Sequence, residues 1–160
     1  MKYLSALFLL SLLLACSPGD STSAGDAPEK ATAPESAPQP SDDEPLPFPV
    51  YTSFQQLEPL FHKNNDTTYV INFWATWCKP CVAELPYFEE LNRKVQGEKV
   101  KVILVSLDFP RKLRSDLLPF LRNRNIQSEV IALIDGDYNA WIDKVNPEWG
   151  GEIPVTYIYR

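Results

Sequence analysis

Residues 71–88, INFWATWCKPCVAELPYF, hold two of the chain's three cysteines, Cys78 and Cys81, where an apolar run gives way to a helical pattern. Upstream, TTYVINFW (residues 67–74) is β-branched and aromatic and has the length of a strand. Downstream, Val82, Leu85, Phe88, Leu91 and Val95 recur at helical spacing from Lys79 to about Gln96, and Gly97 supplies the stop. A strand-to-helix junction therefore carries the pair. A Cys-x-x-Cys spacing has three physical readings. Half of a zinc site needs four N or S ligands, and only Cys16 and His62 remain outside the pair, so no metal is expected. A structural bridge across so small a loop removes little unfolded-state entropy. A redox dithiol at a helix N-terminus has unpaired backbone N–H groups and the helix dipole to hold a thiolate, and the junction favours this third reading.

The pattern continues on both sides. SFQQ (residues 53–56) has the Ser and Gln of a capping box opening a short helix. KVKVILVSLD (residues 99–108) is a nearly continuous apolar strand of the kind buried on both faces. A helix is expected over residues 113–124, with Pro119 disturbing its middle. EVIALID reads as a strand, GDYNAWIDKV as a short helix and PVTYIY as a last strand. Strands alternating with helices predict an α/β domain with a mixed, centrally parallel sheet.

The N-terminal third differs. Residues 1–15 have one positive charge, Lys2, an apolar core and a small residue before Cys16, the layout of a secretory signal. LLAC (residues 13–16) resembles the lipobox of bacterial lipoproteins, which would make Cys16 a lipid attachment point. Residues 16–49 are rich in Pro, Ser, Ala, Thr, Asp and Glu; eight of the 15 prolines fall there, so this segment is expected to be a disordered tether. Residues 50–160 are then the folded domain. A net charge of −6 and the lack of a basic patch argue against nucleic acid as a partner.

Taken together, NFWATWCKPC, the following Glu84 and Pro86, and the distant Ile153-Pro154-Val155-Thr156 resemble the thioredoxin superfamily. Within it they are most similar to the TlpA/ResA-like group of membrane-tethered, extracytoplasmic thiol–disulfide oxidoreductases. The resemblance covers about residues 48–160 and implies a thioredoxin-like fold, a central mixed β-sheet flanked by helices. It also implies the roles. Cys78 would be the exposed nucleophile and Cys81 the resolving thiol, with their redox-active disulfide as the only cofactor. Trp77 would cover the site, Pro80 would restrict the loop, and Pro154 would be a cis-proline that exposes backbone for substrate to pair with.

Cytoplasmic thioredoxins carry a buried aspartate six residues before the first cysteine. Here that position is Asn72, which cannot accept a proton, and Glu84, one helical turn after Cys81, is the acid expected to replace it. The resemblance implies a monomer that reduces protein disulfides, possible targets including the haem-site cysteines of apocytochrome c. Its electrons would come from a membrane donor of thiol-transfer type. The alternative is a non-catalytic thioredoxin-fold binding lipoprotein, a metal or peptide chaperone, but copper-delivery proteins of this fold space their cysteines Cys-x-x-x-Cys and add a distant histidine. His62 and the run Arg111, Lys112, Arg114 read as solvated surface, and Trp141 and Trp149 as packing. The family's fold continues past TYIY with a further strand and a helix, so the sheet is expected to be truncated at one edge.

Overall fold

The computed structural model describes residues 45–160. The signal peptide, Cys16 and most of the expected tether lie outside the described residues. Five strands form one sheet: β1 (Val50–Tyr51), β2 (Thr68–Trp74), β3 (Val100–Ser106), β4 (Glu129–Leu133) and β5 (Val155–Tyr159). Their spatial order is β1-β4-β3-β2-β5, parallel throughout except for β5, which runs antiparallel to β2. The helices are α1 (Phe54–Leu57), which continues as a 3-10 turn over Glu58–His62, α2 (Lys79–Lys94), α3 (Leu118–Asn123) and α4 (Ile142–Val145).

Side-chain alternation along the strands divides the core in two. Tyr69, Ile71 and Phe73 of β2, with Ile103 and Val105 of β3 and Ile131 and Leu133 of β4, face α1, α4 and the two buried tryptophans Trp141 and Trp149. Val70 and Trp74, with Val102, Leu104 and Ala132, face Cys78, Cys81 and Leu85 of the α2 segment and Leu117 and Leu118 beside α3. Burial on both faces is why β2 and β3 read as continuous apolar runs rather than as alternating ones.

The capping box at Ser53 is formed: its hydroxyl accepts from the Gln55 N–H, and the Gln56 side chain accepts from the Ser53 N–H at 3.3 Å. The backbone amide of Phe54 donates to Asp135 at 2.8 Å, which ties the start of α1 to the end of β4. Gly97, φ +85°, lies just beyond α2 in the left-handed conformation that glycine adopts without cost.

Three expectations are modified. First, the tether does not run to residue 49. Phe48 is buried, Leu46 packs beside it, and the Pro49 carbonyl accepts from Ala132 at 2.9 Å, so the folded part begins a few residues before Val50. Second, the helix expected over residues 113–124 is two pieces, a π turn (Leu113–Leu117) and α3, preceded by a 3-10 turn (Pro110–Lys112). Pro119 has no N–H to give back to the preceding turn and would clash with it, and the wider π turn just before the proline absorbs the mismatch. Third, Arg114 is half-buried in that turn, while Arg111 and Lys112 are exposed.

Asn72 is buried and fastens the antiparallel strand. Its Nδ2 donates to Thr156 Oγ1 at 3.1 Å and to the Val155 carbonyl at 3.4 Å. At the far end of β5 the Tyr159 hydroxyl donates to the Leu60 carbonyl and accepts from the Lys63 N–H at 3.4 Å. Burial holds its pKa above the ordinary tyrosine value.

Candidate active site

β2 ends at Trp74, and Ala75, Thr76 and Trp77 carry the chain over the carboxyl edge of the sheet to α2. Cys78 is the N-cap of this 16-residue helix, with extended backbone (φ −87°, ψ 97°). Its N–H donates to the Ala75 carbonyl at 3.1 Å, and its sulfur accepts from the Cys81 N–H at 3.3 Å. One of the helix's unpaired amides therefore points at the Cys78 sulfur, an arrangement that favours negative charge there when the bridge is open. Pro80 occupies the first turn, where its missing N–H costs nothing.

Cys78 and Cys81 are joined in a disulfide, S–S 1.99 Å, with Cα atoms 5.3 Å apart. Both cysteines are buried, so Cys78 is not the exposed nucleophile expected: it is 6% exposed and Cys81 1%. What little surface the pair has lies mainly on Cys78.

A second segment closes on Cys78 from across the sheet. The Ile153 carbonyl oxygen lies 3.7 Å from Cys78 Sγ, an acceptor for the thiol hydrogen in the reduced state. The next bond, Ile153–Pro154, is cis. The turn that delivers it is fixed from behind: Trp149 Nε1 donates to the Glu152 carbonyl at 2.7 Å. Gly151 takes φ +91°, a left-handed conformation that calls for glycine, and a Cβ there would have to displace the tip of the Ile142 side chain at 2.8 Å.

The remaining expected residues fall as follows. Trp77 is 55% exposed and its ring stacks on Phe109, with centroids 6.1 Å apart and planes at 22°. Glu84 is half-buried on α2 and makes no hydrogen bond or ion pair with another described residue. Asn72 shares a β2 face with Val70 and Trp74, the face that packs on Cys81, but its amide is directed to β5.

Asp108 was not foreseen. It is 1% exposed and accepts from the Thr76 N–H at 3.1–3.2 Å, from the Thr76 hydroxyl at 2.5 Å and from the Ser106 hydroxyl at 2.8 Å. The carboxylate thus fixes the loop two residues before Cys78. An available signal was an acid at the carboxyl end of an otherwise apolar strand, a position from which such sheets build their sites.

The AhpC/TSA family model matches residues 56–160. The chain belongs to the AhpC/TSA family. Its thioredoxin-like α/β fold is the one expected from the sequence, a mixed central sheet flanked by helices. Among curated proteins, this AhpC/TSA chain is 49% identical over 39 residues to the thiol-disulfide oxidoreductase ResA of Oceanobacillus iheyensis, covering 24% of the chain and 20% of the relative. It is 33% identical over 92 residues to the thioredoxin-like protein YneN of Bacillus subtilis, covering 56% of the chain and 48% of the relative. The match thus spans a fifth to a half of these relatives' length. Among solved structures, a putative thiol:disulfide interchange protein DsbE from Chlorobium tepidum is similar with a TM-score of 0.47 and 21% identity, covering 57% of this chain and 59% of that one.

Proposed function

We propose that this chain is a thiol–disulfide oxidoreductase that reduces protein disulfides through Cys78 and Cys81. The observation that carries the reading is the placement of the pair: Cys78 caps a long helix, accepts a backbone N–H on its sulfur, and lies against the Ile153–Pro154 backbone. In the reduced state, the Cys78 thiolate attacks one sulfur of the substrate disulfide. A Cys78–substrate bond forms, and the other substrate sulfur leaves as a thiolate that takes up a proton. The Cys81 thiolate then attacks Cys78 Sγ, the substrate's second thiol is released, and the Cys78–Cys81 disulfide remains. Two electrons pass from protein to substrate, and a dithiol donor must return them.

The chemistry requires Cys81 to lose its proton inside a nearly closed site, which burial resists. Glu84 is assigned to take it. Glu84→Gln is expected to slow resolution of the mixed disulfide about 10²-fold, the low end for general-base assistance, and to shift its pH dependence. Stopped-flow rates from pH 5 to 9 check this; superimposable profiles for the two proteins would leave Glu84 as a helix-surface residue.

The direct test of the activity is reduction of insulin by the full-length protein with dithiothreitol as donor, beside iodoacetamide labelling of the reduced form. Cys78 should react first, and at a pH below the value of about 8.5 typical of a free thiol. No acceleration of insulin reduction, with both cysteines labelling alike, would refute the reading.

The setting is proposed from the sequence: an extracytoplasmic enzyme, lipid-anchored through Cys16, acting as a monomer with electrons from a membrane thiol donor and apocytochrome c as the first substrate to try. Mass spectrometry of the mature N-terminus settles the anchor, since an unmodified Cys16 would exclude it. Among the described residues no helix is long and apolar enough to cross a membrane.

A further inference from the structure

Five large hydrophobic side chains are exposed among the described residues, and two of them, Trp77 and Phe109, touch each other beside Cys78. Single exposed apolar residues need no explanation, but paired rings at a reactive centre do. Phe109 is 58% exposed.

The pair is not a slack loop. Asp108 grips Thr76 through the bonds described above, so two consecutive residues after β3 hold two consecutive residues before Cys78: Asp108 on Thr76 and Phe109 on Trp77. The Phe109 ring is thereby tied to the segment that leads into Cys78. Rigid aromatic surface bears little ordering cost when something docks on it.

Topology supplies the rest of the cleft. β2, which leads to Cys78, lies between β3 and β5. Phe109 lies just after β3, Trp77 just after β2, and Ile153–Pro154 precedes β5. Cys78 is thus flanked by backbone from just before β5 and by two rings carried on the segments that follow β2 and β3. The exposed cations Lys79 and Arg111 are close in sequence to these rings, one on each segment, and disfavour a basic partner.

We propose that Phe109, stacked on Trp77, is a substrate-docking residue. The platform selects protein disulfides in which an aromatic side chain flanks the cysteine to be attacked. The inference rests on the oxidoreductase reading and names its substrate class.

The test uses full-length protein and two acidic peptide disulfides that differ only in having tryptophan or alanine next to the cysteine. Wild type should show a kcat/KM about tenfold higher for the tryptophan peptide. In Phe109→Ala the ratio should fall toward one, and Phe109→Tyr should restore it. A ratio of one in wild type, or an unchanged ratio in Phe109→Ala, overturns the platform.

A second arm needs no turnover. The tryptophan peptide with serine in place of cysteine is titrated into the oxidised protein while the Trp77 indole resonance is followed. It should bind wild type and not Phe109→Ala; equal binding to both overturns the platform. Turnover of both disulfides without discrimination would refute docking and leave the activity standing. Selective binding without any turnover would do the reverse.

Discussion

Cys81→Ser is expected to lose nearly all turnover while still releasing one substrate thiol per protein molecule. The first step needs only the Cys78 thiolate, and Cys78 is the cysteine with surface, 6% exposed against 1% for Cys81. The second step needs a thiol inside the fold, and serine cannot supply one. The mixed disulfide should therefore accumulate, visible as a protein–substrate adduct on non-reducing gels and by mass. Cys78→Ser should trap nothing, because Cys81 lies among Leu85, Trp74 and Leu104, out of reach of a protein disulfide. Equal trapping by the two variants would mean that the roles are not divided as proposed.

The largest effect on stability is expected at Trp141. Trp141 is 1% exposed, stacks on Phe54 at 5.3 Å and Phe73 at 6.1 Å, and meets Trp149 at a tilt of 58° with centroids 5.9 Å apart. Removing so large a buried ring leaves a cavity that the surrounding aromatics cannot close, and Trp141→Ala should cost about 3–5 kcal/mol. A domain of this size has roughly 5–15 kcal/mol in total, so much of its stability would go. Trp141 Nε1 has no hydrogen-bond partner among the described residues, which points to packing as the contribution of this side chain. Trp141→Phe should accordingly cost less than half as much. Urea midpoints of the three proteins provide the check, and a loss under 1 kcal/mol for Trp141→Ala would contradict the packing account.

Much of this architecture was legible in the sequence because it follows from local rules. β2 and α2 announce themselves by a change of hydrophobic period, Ser53 and Gln56 by a capping box, and the end of α2 by Gly97. The cysteine pair stands out because its junction position leaves few other uses for it. What was missed depends on contacts between distant segments. Nothing local in Asp108 says that its carboxylate will hold Thr76, nor in Phe109 that its ring will meet Trp77. β1 has two residues and exists as a strand because β4 accepts it, so Phe48 and Pro49 read as tether. Glu84 is proposed from its spacing and the resemblance, and it makes no hydrogen bond or ion pair with another described residue that would mark it in the structure.

The two halves of the site differ in what they demand of the chain. The Cys78–Cys81 bridge joins residues three apart and can close in a polypeptide with no tertiary structure, whereas Cys78 meets the Ile153 carbonyl across 75 residues of sequence. Oxidation of the pair is therefore no record of successful folding. An incompletely folded chain can carry this bond before β5 exists, and a thiol count would score it as mature. The 153–154 peptide beside Cys78 is the honest witness, since only a completed sheet brings it there. Quality control for this protein, in a cell or on a column, should be judged by substrate turnover rather than by disulfide content.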